Sequence, residues 1–101
     1  MVNRVVVRTH AGVEHVWYHC PGCQHLHSVP ADRWHWNRDT IHPTLSPSVR
    51  HYFPARDGIA EETVCHYFIR DGRIEFCGDC RHELRNQTLM LEEPQRVPDA
   101  S

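Results

Sequence analysis

The sequence predicts a small single domain, mostly β and built of hairpins, and three observations lead there. The chain has 101 residues, 40% of them apolar, punctuated by five Gly and seven Pro, a composition that suits one compact, turn-rich unit. Several short runs alternate apolar and polar residues with period two, the spacing of a strand with one buried face. Turn signals separate these runs, and no segment has the length and period of an organising helix.

The elements follow in order. "NRVVVRTHAGVEHVWYH" holds two β-branched runs around His10-Ala11-Gly12 and reads as a hairpin that delivers the chain into "CPGC". "HLHSVP" is one short strand stopped by Pro30, and "RWHWN" another, with Trp34 and Trp36 on one face. "RDTIHPTLSPS" carries two prolines and several hydroxyls and reads as a loop or edge segment. "SVRHYF" is a strand before Pro54, followed by a polar connector turning at Asp57-Gly58. In "CHYFIRDGRIEFC" two strand-like runs flank Asp71-Gly72, a favoured two-residue turn that sets His66 opposite Cys77. "DCRHELRNQ" then makes a short helical turn and "TLML" a last strand. The domain is expected to span residues 1–93, with 94–101 a flexible C-terminal tail.

A formal charge of -2 gives no positive field to draw a nucleic acid or an anionic membrane. Trp34 and Trp36 with Arg33 and Arg38 resemble a stacking surface for single strands, but a strand with one face in the core accounts for them better, since the overall charge is not basic. There is no 18-residue apolar run to span a membrane and no signal-peptide pattern at the start, so a cytoplasmic, reducing location is expected. Five Cys, an odd number, suit a closed disulfide framework poorly.

The cysteines instead suit a metal. Structural zinc takes four thiolate or imidazole ligands in a tetrahedron, and two ligands on a tight turn can chelate one ion. Cys20-Pro21-Gly22-Cys23 is such a pair, its Gly allowing the turn. For the other two places Cys65, Cys77, Cys80, His66 and His82 compete, because the Asp71-Gly72 hairpin brings them together. Iron accepts the same geometry and is the alternative ion. A redox C-x-x-C would want a helix start after it, where this chain has a short segment and Pro30. In so small a domain a structural zinc, at about 10–16 kcal/mol of apparent binding in finger peptides, would rival the whole folding stability of about 5–15 kcal/mol.

"CPGCQHLHSV", "WHWNRDTIHPTLSPSV" and "CHYFIRDGRIEFCGDCRHELRNQTLML" together resemble a family of small uncharacterised proteins of tailed phages and prophages. Its members often carry the transferred label ammonia monooxygenase. The pattern of that family maps onto Cys20, Cys23 and His27, onto Pro43, Thr44, Ser46, Pro47 and Ser48, onto Cys65 and His66, and onto Asp79, Cys80 and His82. It has an apolar residue at the position of Cys77, so the resemblance implies a cage of Cys20, Cys23, Cys65 and Cys80. His82 is then the first substitute, and the fold a zinc-ribbon-like one.

His27, His66 and His82 are left to orient the cage through their N–H groups. The function expected is that of a non-enzymatic binding module for a host or phage macromolecule, most simply a protein. The alternative is a small metal-dependent hydrolase, with the histidines holding an open-sited ion and Asp79 orienting one of them or acting as base. Ser46 and Ser48 lack the G-x-S-x-G elbow and read as turn hydroxyls. His10, His15, His35, His42 and His51 read as surface residues.

Overall fold

A computed structural model describes residues 2–98. Of the expected tail, residues 99–101 lie outside the described residues. Eight strands form, and no helix among the described residues: β1 Val6–His10, β2 Val13–Cys20, β3 His25–Pro30, β4 His35–Trp36, β5 Leu45–Phe53, β6 Glu62–Arg70, β7 Arg73–Phe76 and β8 Thr88–Met90. They make two antiparallel sheets, one in the order β1-β2-β3 and one in the order β4-β5-β6-β7-β8. The mostly β prediction holds.

Turn chemistry explains the hairpins. Ala11 and Gly12 (φ 51° and 79°) and Asp71 and Gly72 (φ 50° and 77°) both place two residues at positive φ, the turn whose twist matches paired strands. Tyr67 accordingly pairs with Phe76 and Arg70 with Arg73. Cys77 N–H donates to the His66 carbonyl at 2.9 Å, so His66 does stand opposite Cys77.

Period two decides what is buried. Val16, Tyr18 and Cys20 point inward from one sheet, and Cys65, Tyr67, Ile69, Ile74 and Phe76 from the other, into one core. Tyr18 and Tyr67 are fully buried, and their hydroxyls bond each other at 2.7 Å across the two sheets. Unpaired, each buried hydroxyl would cost about 1–3 kcal/mol.

Three local expectations change. The "RWHWN" strand shrinks to His35–Trp36, because Trp36 enters the core while the Trp34 indole N–H turns to donate to the Pro47 carbonyl at 3.0 Å. "DCRHELRNQ" makes turns rather than a helical one, its amides bonding back to strands: Arg81 N–H to the Val64 carbonyl and Asn86 N–H to that of Phe76. The loop reading of "TLSPS" gives way to the edge one: β5 begins at Leu45 and runs through Pro47, with β6 on one side and, on the other, only the two-residue β4. Among the described residues no helix is long and apolar enough to cross a membrane.

Candidate functional site: a serine–histidine–aspartate relay beside a thiol cage

On β5 and β6 the register passes from Leu45↔Ile69 to Val49↔Tyr67, four steps on one strand against two on the other. Such bulges re-aim side chains, and they favour active sites. Here the bulge holds Ser48 beside His66 on the outer face of the five-stranded sheet. Ser48 Oγ lies 3.0 Å from His66 Nε2. His66 faces outward because its neighbours Cys65 and Tyr67 are both fully buried. Its Nδ1 lies 3.2 and 3.3 Å from the two Asp79 carboxylate oxygens. With the proton on Nδ1 donating to Asp79, Nε2 is free to accept from the serine hydroxyl.

Cys80 holds this histidine from behind. Its sulfur accepts from the His66 backbone N–H at 3.3 Å and donates to the His66 carbonyl at 3.1 Å. Cys77 Sγ lies within 4.8 Å of a His66 ring nitrogen and of an Asp79 carboxylate oxygen. Burial and then the Asp79 charge raise its thiol pKa, so the neighbour it presents to the relay is neutral.

On the inner side, Cys20, Cys23, Cys65 and His82 each aim one ligand atom into a common space, all within 4.8 Å of one another. The Cys20 and Cys65 sulfurs are 4.0 Å apart, and Cys65 Sγ is 3.2 Å from His82 Nε2. The turn after β2 brings Cys23 N–H onto Cys20 Sγ at 3.4 Å. Gly22 makes room for His82: a Cβ there would come within 2.7 Å of ring Cδ2 and nearer still to Cε1 and Nε2. The cluster could hold a metal ion, its donors being those of a closed tetrahedral site. Ligation through Nε2 puts the His82 proton on Nδ1, which would release the 3.2 Å contact from the Leu84 N–H.

The thiols are mutually constrained. The hydrogen bond from Cys65 holds the Cys20 pKa down to about 3. That bond, with burial and the Cys20 charge, pushes Cys65 well up. Burial and then the Cys20 charge push Cys23 up to about 11. Three thiolates this close together repel one another, so a cation among them would be needed to hold all three ionised.

Of the four expected ligands, the structure thus groups Cys20, Cys23 and Cys65, with His82 as the fourth donor. Cys80 is outside that group: its sulfur meets the His66 backbone, though near enough to Cys23 to act on it through charge. His27 is buried beside the cage, its Nε2 without a hydrogen bond, its ring stacked on His51 at 3.9 Å. His51 is not the surface residue expected: Nε2 lies 2.9 Å from the Tyr67 hydroxyl. His66 faces Ser48 rather than the thiols.

A hydroxyl, an imidazole and a carboxylate bonded in that order define a site of the serine-hydrolase type. The comparison with known families agrees. A model described as the bacterial ubiquitination-like system serine protease (BubE) matches residues 2–77, most of the chain, including Ser48 and His66. The chain belongs to that family. No curated protein and no solved structure matches it. This membership overturns the expectation of a non-enzymatic phage or prophage binding module, and the family is a bacterial one. The residues that sequence reasoning missed are Ser48 as nucleophile candidate and Asp79 as the partner of His66 in a serine relay. The available signal was the P-T-L-S-P-S block, which lacks the elbow motif but reaches His66 once β5 and β6 pair.

Proposed function

We propose that this protein is a serine peptidase cutting a peptide or isopeptide bond within a ubiquitination-like system. The observation that carries the reading is the relay Ser48–His66–Asp79 on one open sheet face; the family description supplies the biological setting. Ser48 Oγ attacks the scissile carbonyl carbon while His66 Nε2 takes its proton. Asp79 holds the imidazole in the required tautomer and steadies its positive charge. His66 then gives that proton to the leaving amine, and the C–N bond breaks to leave an ester on Ser48. Water, deprotonated by His66, cleaves the ester and restores the hydroxyl.

The reading includes one zinc ion, with iron as the alternative, held by Cys20, Cys23, Cys65 and His82. Its role is structural, since four protein donors leave no open position. Cys20 ends β2 of the three-stranded sheet, Cys23 lies in the turn after it, Cys65 comes from the other sheet and His82 from the turns after β7. Held together, they would fix the two sheets and both flanks of the relay: Cys65 precedes His66, and His82 follows Asp79 by three residues.

A fluorophosphonate probe followed by peptide mass spectrometry tests the nucleophile. The adduct is expected on Ser48 in the wild type and absent from Ser48→Ala, with labelling strongly slowed in His66→Ala. Labelling that persists in Ser48→Ala, or an undiminished rate in His66→Ala, refutes the assignment.

A further inference from the structure

β5 is nine residues long, yet its outer neighbour β4 covers only Leu45 and Ser46. Beyond them, the Trp34 indole N–H takes the Pro47 carbonyl. From Ser48 to Phe53 the side of the strand away from β6 receives no backbone hydrogen bond from any described residue. In an antiparallel ladder, alternate residues aim N–H and C=O at opposite neighbours. This stretch therefore presents a row of unused donors and acceptors, and the row begins at the candidate nucleophile.

Exposed edges are normally blunted by charge, by proline or by a covering element. Here Pro47 lies at the near end, and the single charge along the row, Arg50, is already paired with Glu61 at 2.6 Å and lies over the Tyr52 ring at 4.8 Å. Tyr52 and Phe53, each 49% exposed, continue the strand. An aromatic, nearly neutral, unpaired edge joined to a reactive serine is suited to adding a strand.

From this geometry, and resting on the serine-peptidase reading above, we infer that β5 binds the substrate as an extended β-strand, antiparallel to residues 48–53. Direction follows from the chain. β5 runs away from Ser48 toward Phe53, so an antiparallel partner with its scissile carbonyl at Ser48 lays the residues before that carbonyl along positions 49–53. At about 3.4 Å per residue, roughly five substrate residues on the acyl side are read, through their backbone. The substrate class is then a protein segment held extended over about five residues before the scissile bond.

The test uses acetyl-(Ala)n aldehydes, with n from one to five, as inhibitors of wild-type hydrolysis of a small activated ester. An aldehyde forms a hemiacetal with the serine, and alanine leaves recognition to the backbone. Inhibition is expected to tighten at least tenfold from n of one to five, and N-methylation of alternate amides in the longest aldehyde is expected to reverse that gain while methylation of the intervening ones does not. Inhibition that ignores length, or methylation effects without period two, overturns strand addition while leaving the relay intact. Sedimentation of the free protein as a dimer whose formation the aldehydes fail to disturb also overturns it, the edge then being taken by a second copy. Ester hydrolysis undiminished in Ser48→Ala sinks the relay, and this inference with it.

Discussion

Gly22→Ala perturbs the cage at one atom. The added methyl would stand 2.7 Å from His82 Cδ2 and closer to Cε1 and Nε2, where ordinary contact starts at 3.4 Å. The ring must therefore retreat by about 1 Å, whereas metal–ligand distances tolerate only about 0.2 Å. Phe76 stands edge-on to the ring with centroids 4.5 Å apart, so the ring must swing toward the open cavity that it lines with Gly22, away from the three sulfurs. His82 is then lost as a ligand and three thiolates remain. Changes in residues that merely support ligands cost about 10–100-fold in metal affinity, so losing a ligand should cost at least about 10²-fold, or about 2.8 kcal/mol. Because metal binding and folding are coupled, the same loss appears in stability. Competition with a chromophoric zinc chelator measures the first quantity, and thermal unfolding with zinc or with EDTA the second. Gly12→Ala is the control: its Cβ would meet nothing within 4 Å, so the positive φ costs stability without touching zinc affinity. If Gly22→Ala binds zinc as tightly as wild type, His82 is not a ligand; if the wild type binds neither zinc nor iron, the cage reading fails outright.

Cys80→Ala should keep one zinc per chain while lowering kcat, because its sulfur meets the His66 backbone rather than the cage; loss of stoichiometric metal would make it a ligand instead. Asp79→Asn should reduce kcat by about 10²–10⁴-fold with little change in KM, the larger figure belonging to a buried aspartate, and Asp79 is 48% exposed; an unchanged kcat in ester hydrolysis removes it from the relay. Burial, then the His27 charge, lowers the His51 pKa from 6.5 to about 4. The unfolded chain therefore takes up this proton first, so stability is full above about pH 6.5 and is lost as pH falls toward 4. After discounting for partial exposure the loss is about 1–2 kcal/mol. Denaturant melts at pH 7 and 5 should show it in the wild type and much less in His51→Gln; equal acid sensitivity refutes the assignment.

Elements whose cause is local were legible in the sequence. Asp71-Gly72 and Ala11-Gly12 dictate their turns through backbone conformations that few other pairs adopt, and the His66–Cys77 pairing follows from the first of them. The cage was half legible: C-x-x-C on a Gly-containing turn announces itself, but the fourth donor depends on which side chain the missing Cβ of Gly22 admits. His51 was misread because no single residue signals burial. Val49 and His51 share a face, and what makes that face interior is Tyr67, sixteen positions on. Ser48 was hardest. Its place beside His66 arises from a bulge, a register difference between two strands, and neither strand alone encodes it.

The same alternation that hides Ser48 explains how a chain this small could hold a metal and a catalytic relay without mixing them. On β6, residue 65 points into the core, where its sulfur meets that of Cys20 from the other sheet, and residue 66 points out, where its ring meets Ser48 and Asp79. After β7 the turn repeats the division, with Asp79 outward to the imidazole and His82 inward to Cys65. The two sites are adjacent in sequence and separated by the thickness of a sheet. Such adjacency has a mechanical consequence. The His66 backbone is bonded to Cys77 and Cys80, in the segment that carries both Asp79 and His82, so a cation released from the inner face would free the outer carboxylate to drift from the imidazole. Loss of metal would then lower kcat before it unfolds the domain, a signature that separates a staple supporting catalysis from one supporting the fold alone.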